Sequence, residues 1–163
     1  TNNIGCNFVR DYGITKAYVT APNIEEIRNN SSLTVSSIGV LRYANLTLLS
    51  EDYETEEFYT NGDFILDLEV ENLNITANGF SNFFLTGSAI KANIAFYSGN
   101  SRVEAADFLI QDLIVFHRST NKIIVNPQMS IIGEIRSLGD VISKNEPPLI
   151  DVTEYYTGRL IFN

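Results

Sequence analysis

The stretch Phe64-Ile65-Leu66-Asp67-Leu68-Glu69-Val70-Glu71 alternates with a period of two, so that Leu66, Leu68 and Val70 face one way and Asp67, Glu69 and Glu71 the other. That alternation marks a half-buried strand. The parity changes at once, because in Asn72-Leu73-Asn74-Ile75-Thr76 the apolar positions are Leu73 and Ile75. A bulge or kink around Glu71-Asn72 would keep both halves on one core. Asn78-Gly79 then ends the strand.

The same period runs through most of the chain. Leu33 to Leu49 reads as one or two strands, with Gly39 a candidate bulge. Phe80 to Thr86 forms another, and Ile90, Ala92, Ile94 and Phe96 are again two apart. Ser98-Gly99-Asn100-Ser101 reads as a hairpin turn before strands at Val103–Ile110, Leu113–His117 and Lys122–Val125. No repeat of fixed period stands out. Short strands at roughly ten-residue spacing predict an antiparallel sheet. Two segments depart from the pattern. Residues 1–32 are polar and irregular, with room for one helical turn at Ile24–Arg28 after Asn23. Near the end, Ile131, Ile135, Leu138 and Ile142 are spaced 4, 3 and 4, which predicts a short helix weakened by Gly133 and Gly139 and stopped by Pro147-Pro148. The expected fold is a single domain over 1–163 that is mainly β, with α+β the alternative. It is an antiparallel curved sheet or sandwich with a β-rich core at 33–163 and one short late helix.

Charge narrows the functions. Twenty acidic residues against 11 basic ones give a net charge of −9, the opposite of a nucleic-acid footprint and repelled by anionic lipid. No apolar run approaches a membrane span of about 18 residues. Cys6 is the only cysteine, so an intrachain disulfide is excluded, an intermolecular one through Cys6 stays open, and the oligomeric state is undetermined. His117 is the only histidine. At a strand end it reads as a rim residue, and GxSxG, HExxH, P-loop and GxGxxG motifs are all missing. No enzyme activity, metal or cofactor is expected. The acidic tract Glu51–Glu57 reads as a solvated loop. Sequons occur at Asn29, Asn30, Asn45 and Asn74, about as many as chance supplies to so short a motif. Alternation turns Asn74 outward, and Asn30, Asn45 and Asn74 are the expected glycosylation sites of an extracellular chain.

The stretch Leu66–Phe83 is similar in rhythm to a segment of the arthropod takeout and juvenile-hormone-binding proteins and the group seven mite allergens. Val70, Asn72, Leu73 and Ile75 match the family's amphipathic strand, Gly79 its turn, and Ser81 and Phe83 the exit. The resemblance implies a secreted, non-enzymatic carrier of a small hydrophobic, lipid-like ligand. Leu68, Ile75, Ile94, Phe96 and Phe108 share inward parity and are the expected lining of its apolar cavity. The competing reading is a β-sandwich interaction or adhesion module that binds protein or glycan through strand edges or a Tyr-rich surface.

Overall fold

The computed structural model describes residues 16–52 and 60–163. Cys6 and most of the acidic tract lie outside them. Of that tract, Glu51 faces Arg28 at 3.6 Å, and the Asp52 carboxylate accepts a 2.6 Å hydrogen bond from the Asn78 side chain. Among the described residues nine strands follow one another: β1 (Glu26–Arg28), β2 (Val35–Ser50), β3 (Phe64–Ala77), β4 (Asn82–Phe96), β5 (Arg102–His117), β6 (Ile123–Ile135), β7 (Val141–Ser143), β8 (Leu149–Glu154) and β9 (Leu160–Phe162). Every pairing is parallel. The strands pair in chain order from β1 to β7, after which β8 continues on β6 and β9 on β7. The chain is a parallel β-solenoid, and no described residue is helical.

The parity change of the opening stretch is a corner of the coil. In β3 the buried positions run Phe64, Leu66, Leu68, Val70, then Leu73, Ile75 and Ala77. The corner recurs one rung on between Ala89 and Ala92, and again between Ile110 and Leu113. These residues are register partners, Val70 with Ala89 and Ala89 with Ile110, so corner lies on corner. Inward residues consequently form columns. Phe64, Phe83, Val103, Ile123 and Val141 make one, and Leu46, Leu73, Ala92, Leu113 and Ile131 another, all buried. The Phe64 and Phe83 rings stack at 4.7 Å between centroids and 8° between planes, which is the spacing of neighbouring strands.

Three expectations are corrected here. The sheet is parallel and coiled, neither antiparallel nor a sandwich. A 14- to 16-residue strand folded at a corner reads as two short strands, and the turns that link rungs use the same Asn, Gly and Ser as hairpins do. These turns pair with one another instead: the N–H of Phe80 donates to Thr60, that of Asn100 to Gly79, that of Thr120 to Gly99 and that of Gly139 to Ser119. The late helix, and with it the α+β alternative, is also absent. Ile131 and Ile135 are inward residues of β6, and Gly133 occupies the inward position between them in register with Val115. A glycine in an apolar column turns a period of two into an apparent spacing of four. Leu138 is exposed on the following turn. Ile24–Arg28, expected as a helical turn, instead contributes β1, parallel to β2.

Candidate functional site: a groove between two bulged strands

Two breaks in register shape the outer surface. Between β2 and β3, Ser36 pairs with Ile65 but Val40 with Asp67, so β2 carries extra residues at 37–39. Gly39 takes φ +78° there, a conformation that suits glycine. Between β4 and β5, Phe84 pairs with Glu104 but Gly87 with Phe108, which gives β5 an extra residue at 105–107. The unbulged strands β3 and β4 run between these two bulges with uniform register from Phe64 to Ala77. They form the floor of a groove of about 490 Å³.

On that floor Ile65 and Phe84 are 51% and 40% exposed, with Asp67 and Thr86 beside them. Ser37 and Gly39 make one wall, and Glu104, Ala106 and Asp107 the other. Both walls are tied down. The Asp67 N–H donates to Ser37 Oγ at 3.0 Å, and Asn126 Nδ2 donates to the Ala106 carbonyl at 3.0 Å. Glu104 is ion-paired with Arg102, whereas Asp107 is exposed. Bulges re-aim side chains and are found beside functional sites. Here they turn a flat face into a trough with a hydrophobic bottom and oxygen acceptors along it. A second, shallower depression near Arg42 has its charge spent internally: Arg42 Nε and Nη2 donate to Glu69 at 2.7 and 2.9 Å.

A second surface stands where the long strands end. Tyr97, Arg118, Arg136 and Tyr155 are the first residues after β4, β5, β6 and β8, which pair in that order. Their N–H groups donate to Ala77, Phe96, His117 and Ile135 at 3.0, 2.8, 2.7 and 2.8 Å. The Tyr97 and Phe116 rings lie 5.3 Å apart. Arg136 places its guanidinium 4.1 Å from the Tyr155 ring centre and 5.9 Å from that of Phe116, within cation–π reach. Arg136 also bonds Glu134, and that hydrogen bond holds the carboxyl below its ordinary pKa.

Leu68, Ile75, Ile94, Phe96 and Phe108 are brought together, all fully or almost fully buried in one core cluster. Leu68, Gly87 and Phe108 are consecutive register partners, as are Ile75 and Ile94. None of the five lines the groove. Asn45 and Asn74 are exposed, and Asn30 is half-buried. Asn45 Oδ1 accepts from Asn72 Nδ2 at 3.0 Å. His117 is an interior residue, not a rim one. It has no exposure, lies in register between Phe96 and Ile135, and meets the Phe96 ring edge-on at 6.2 Å. Neither ring nitrogen has a hydrogen-bond partner in good geometry. Desolvation pushes its pKa down to about 4, against smaller upward pulls from the Asn121 backbone and the Asp140 charge. The groove escaped the sequence reading because it depends on which strands lie side by side. Gly39 was its one visible trace. Tyr97, Arg118, Arg136 and Tyr155 fall 18 to 21 residues apart, a spacing that gains meaning only once the rung length is known.

Searches of curated proteins and of solved structures find no match. A family model described as "Putative auto-transporter adhesin, head GIN domain" matches residues 3–147. That match, with the parallel coil, overturns the resemblance to takeout, juvenile-hormone-binding and mite-allergen proteins, and the lipid-carrier reading built on it. Covering most of the chain, it shows that this protein belongs to that head GIN domain family.

Proposed function

We propose that the chain is a non-enzymatic, extracellular adhesion module that holds a surface glycan in the groove over β3 and β4. The observation carrying this reading is the trough between the bulges of β2 and β5, with Phe84 exposed on its floor. A pyranose ring lays its C–H face on an aromatic ring, and its hydroxyls donate to carboxylate and hydroxyl oxygens. Asp67, Thr86 and Asp107 supply those acceptors. The family description supports adhesion and a cell-surface location. No helix among the described residues is long and apolar enough to cross a membrane.

A glycan array probed with the whole chain tests the proposal. Phe84→Ala should abolish retention of the bound glycan, and Asp107→Asn should weaken it by about tenfold, in line with a charge-assisted hydrogen bond. Circular dichroism checks that the fold is kept. Glycan binding unchanged in both folded variants would sink the groove as the site.

A further inference from the structure

We infer that the strand-end column Tyr97, Arg118, Arg136 and Tyr155 is a second binding site, one that takes a carboxylate-bearing saccharide. It stands apart from the groove reading and rests on different residues. The column presents one side chain per rung, aromatic at both ends and cationic in the middle. Three rung steps span about 14 Å at the strand spacing, the length of a short oligosaccharide. Tyr97 and Tyr155 are 42% and 53% exposed, enough to offer ring faces.

The charges select the ligand. In a chain of net charge −9, two guanidinium groups sit on adjacent rungs here. Arg136 is committed to Glu134 and to the Tyr155 ring. Arg118 is exposed, and its guanidinium makes no hydrogen bond or ion pair among the described residues. Glu134 neutralises one of the two cations and leaves a net positive charge beside the aromatic rings. A planar guanidinium matches a carboxylate in two-point geometry, and the flanking tyrosines fit the C–H faces of neighbouring sugar rings. An acidic peptide is the poorer fit. The backbone N–H groups of all four column residues are already bonded to the preceding rung, so none of them is open to an added peptide strand. Uronic and sialic acids share the required chemistry, a carboxylate on a pyranose ring.

The experiment is calorimetric titration of the whole chain with four probes: an oligogalacturonate, its carboxyl-reduced counterpart, sialyllactose and a poly-glutamate peptide. Binding of the oligogalacturonate, sialyllactose or both, with neither control binding, is the expected result, and which of the two acids binds identifies the sugar. Arg118→Gln should weaken that binding at least tenfold, and Arg118→Lys should weaken it less. Tyr155→Phe, which keeps the ring, should bind like the parent, whereas Tyr155→Leu should lose several-fold. Phe84→Ala, in the groove, should leave it unchanged, so failure here and failure of the groove reading are separable. Equal binding of the carboxyl-reduced sugar or of poly-glutamate would overturn the assignment, as would binding to neither acid, or full affinity in a folded Arg118→Gln.

Discussion

Mild acid will destabilise this fold through His117, and the size of the loss follows from its position. In the unfolded chain the imidazole titrates near 6.5, and in the folded chain near 4, because burial between Phe96 and Ile135 disfavours the cation. Above pH 6.5 both states hold it neutral and nothing is gained or lost. As the pH falls from 6.5 towards 4, the unfolded chain binds a proton that the folded chain refuses, so stability drops. Below about pH 4 both are protonated and the loss levels off. The full difference is about 3 kcal/mol, of which about 2 is spent by pH 5. Against a typical total of about 5–15 kcal/mol that is a large fraction. Urea unfolding at pH 7.5, 6.5, 5.5 and 5.0 measures it. His117→Leu, which removes two unpartnered nitrogens at similar volume, should flatten the profile over that window and be the more stable form at pH 5. Equal losses in the two proteins would refute the assignment to burial. So would an NMR titration in which the imidazole of the folded protein, the only one in the chain, turned over near 6.5.

Four further outcomes follow from the packing, each read by chemical denaturation. Gly133→Ala should cost at least about 2 kcal/mol, since φ is +141° and its new Cβ would lie 1.9 Å from the Val115 carbonyl oxygen. Gly39→Ala, with a similarly unfavourable φ of +78° but open space around the Cβ, should cost only about 1 kcal/mol. Phe83→Ala, which empties a position stacked on Phe64 and tilted against Phe96, should cost about 3–5 kcal/mol, while Arg42→Gln, which breaks an exposed pair with Glu69, should cost less than about 1 kcal/mol.

What the sequence made legible was the side of most strand residues; Ile90, grouped with Ile94 and Phe96 by its spacing, is instead 52% exposed because the corner between Ala89 and Ala92 shifts the phase. Alternation put Leu66, Leu68, Val70, Leu73 and Ile75 inward, and all five are buried. The parity change at Glu71-Asn72 was legible too, because a corner must shift the phase for both faces to meet one core. The direction of the neighbouring strand was not, since period-two alternation is identical in parallel and antiparallel sheets. The clue that separates them is the rung length, and the bulges blur it. The offset between partners is 19 residues from β3 to β4, but it moves from 20 to 21 between β4 and β5 and from 20 to 17 and then 18 between β5 and β6. Between β2 and β3 it is 27 to 29, a span that contains residues 53–59. A coil with corners need not keep its period, because an added residue is absorbed on the outer surface while inward columns stay in step. His117 was misplaced for the same reason: a strand end is a rim in a flat sheet and an interior corner in a coil.

That tolerance also explains how this architecture can carry a binding surface of the kind proposed. Inward columns are constrained on both sides, each residue touching the rung before and the rung after, so Phe64, Phe83 and Val103 have little freedom to vary without losing core. Outward columns carry no such burden. An extra residue in β2 or β5 changes surface shape locally, and the register recovers within a few positions, at Val40–Asp67 and at Gly87–Phe108. The groove is what remains when two such bulges rise on either side of two regular strands. The strand-end column arises differently, from side chains that repeat at each rung turn without any insertion. One device makes a trough and the other a row of rings and charges. The two proposed sites therefore call for different variants: wall residues such as Asp107 for the first, and rung-end residues such as Arg118 for the second. Because both project from the same ladder of backbone hydrogen bonds, either can be altered while the coil that presents it is retained.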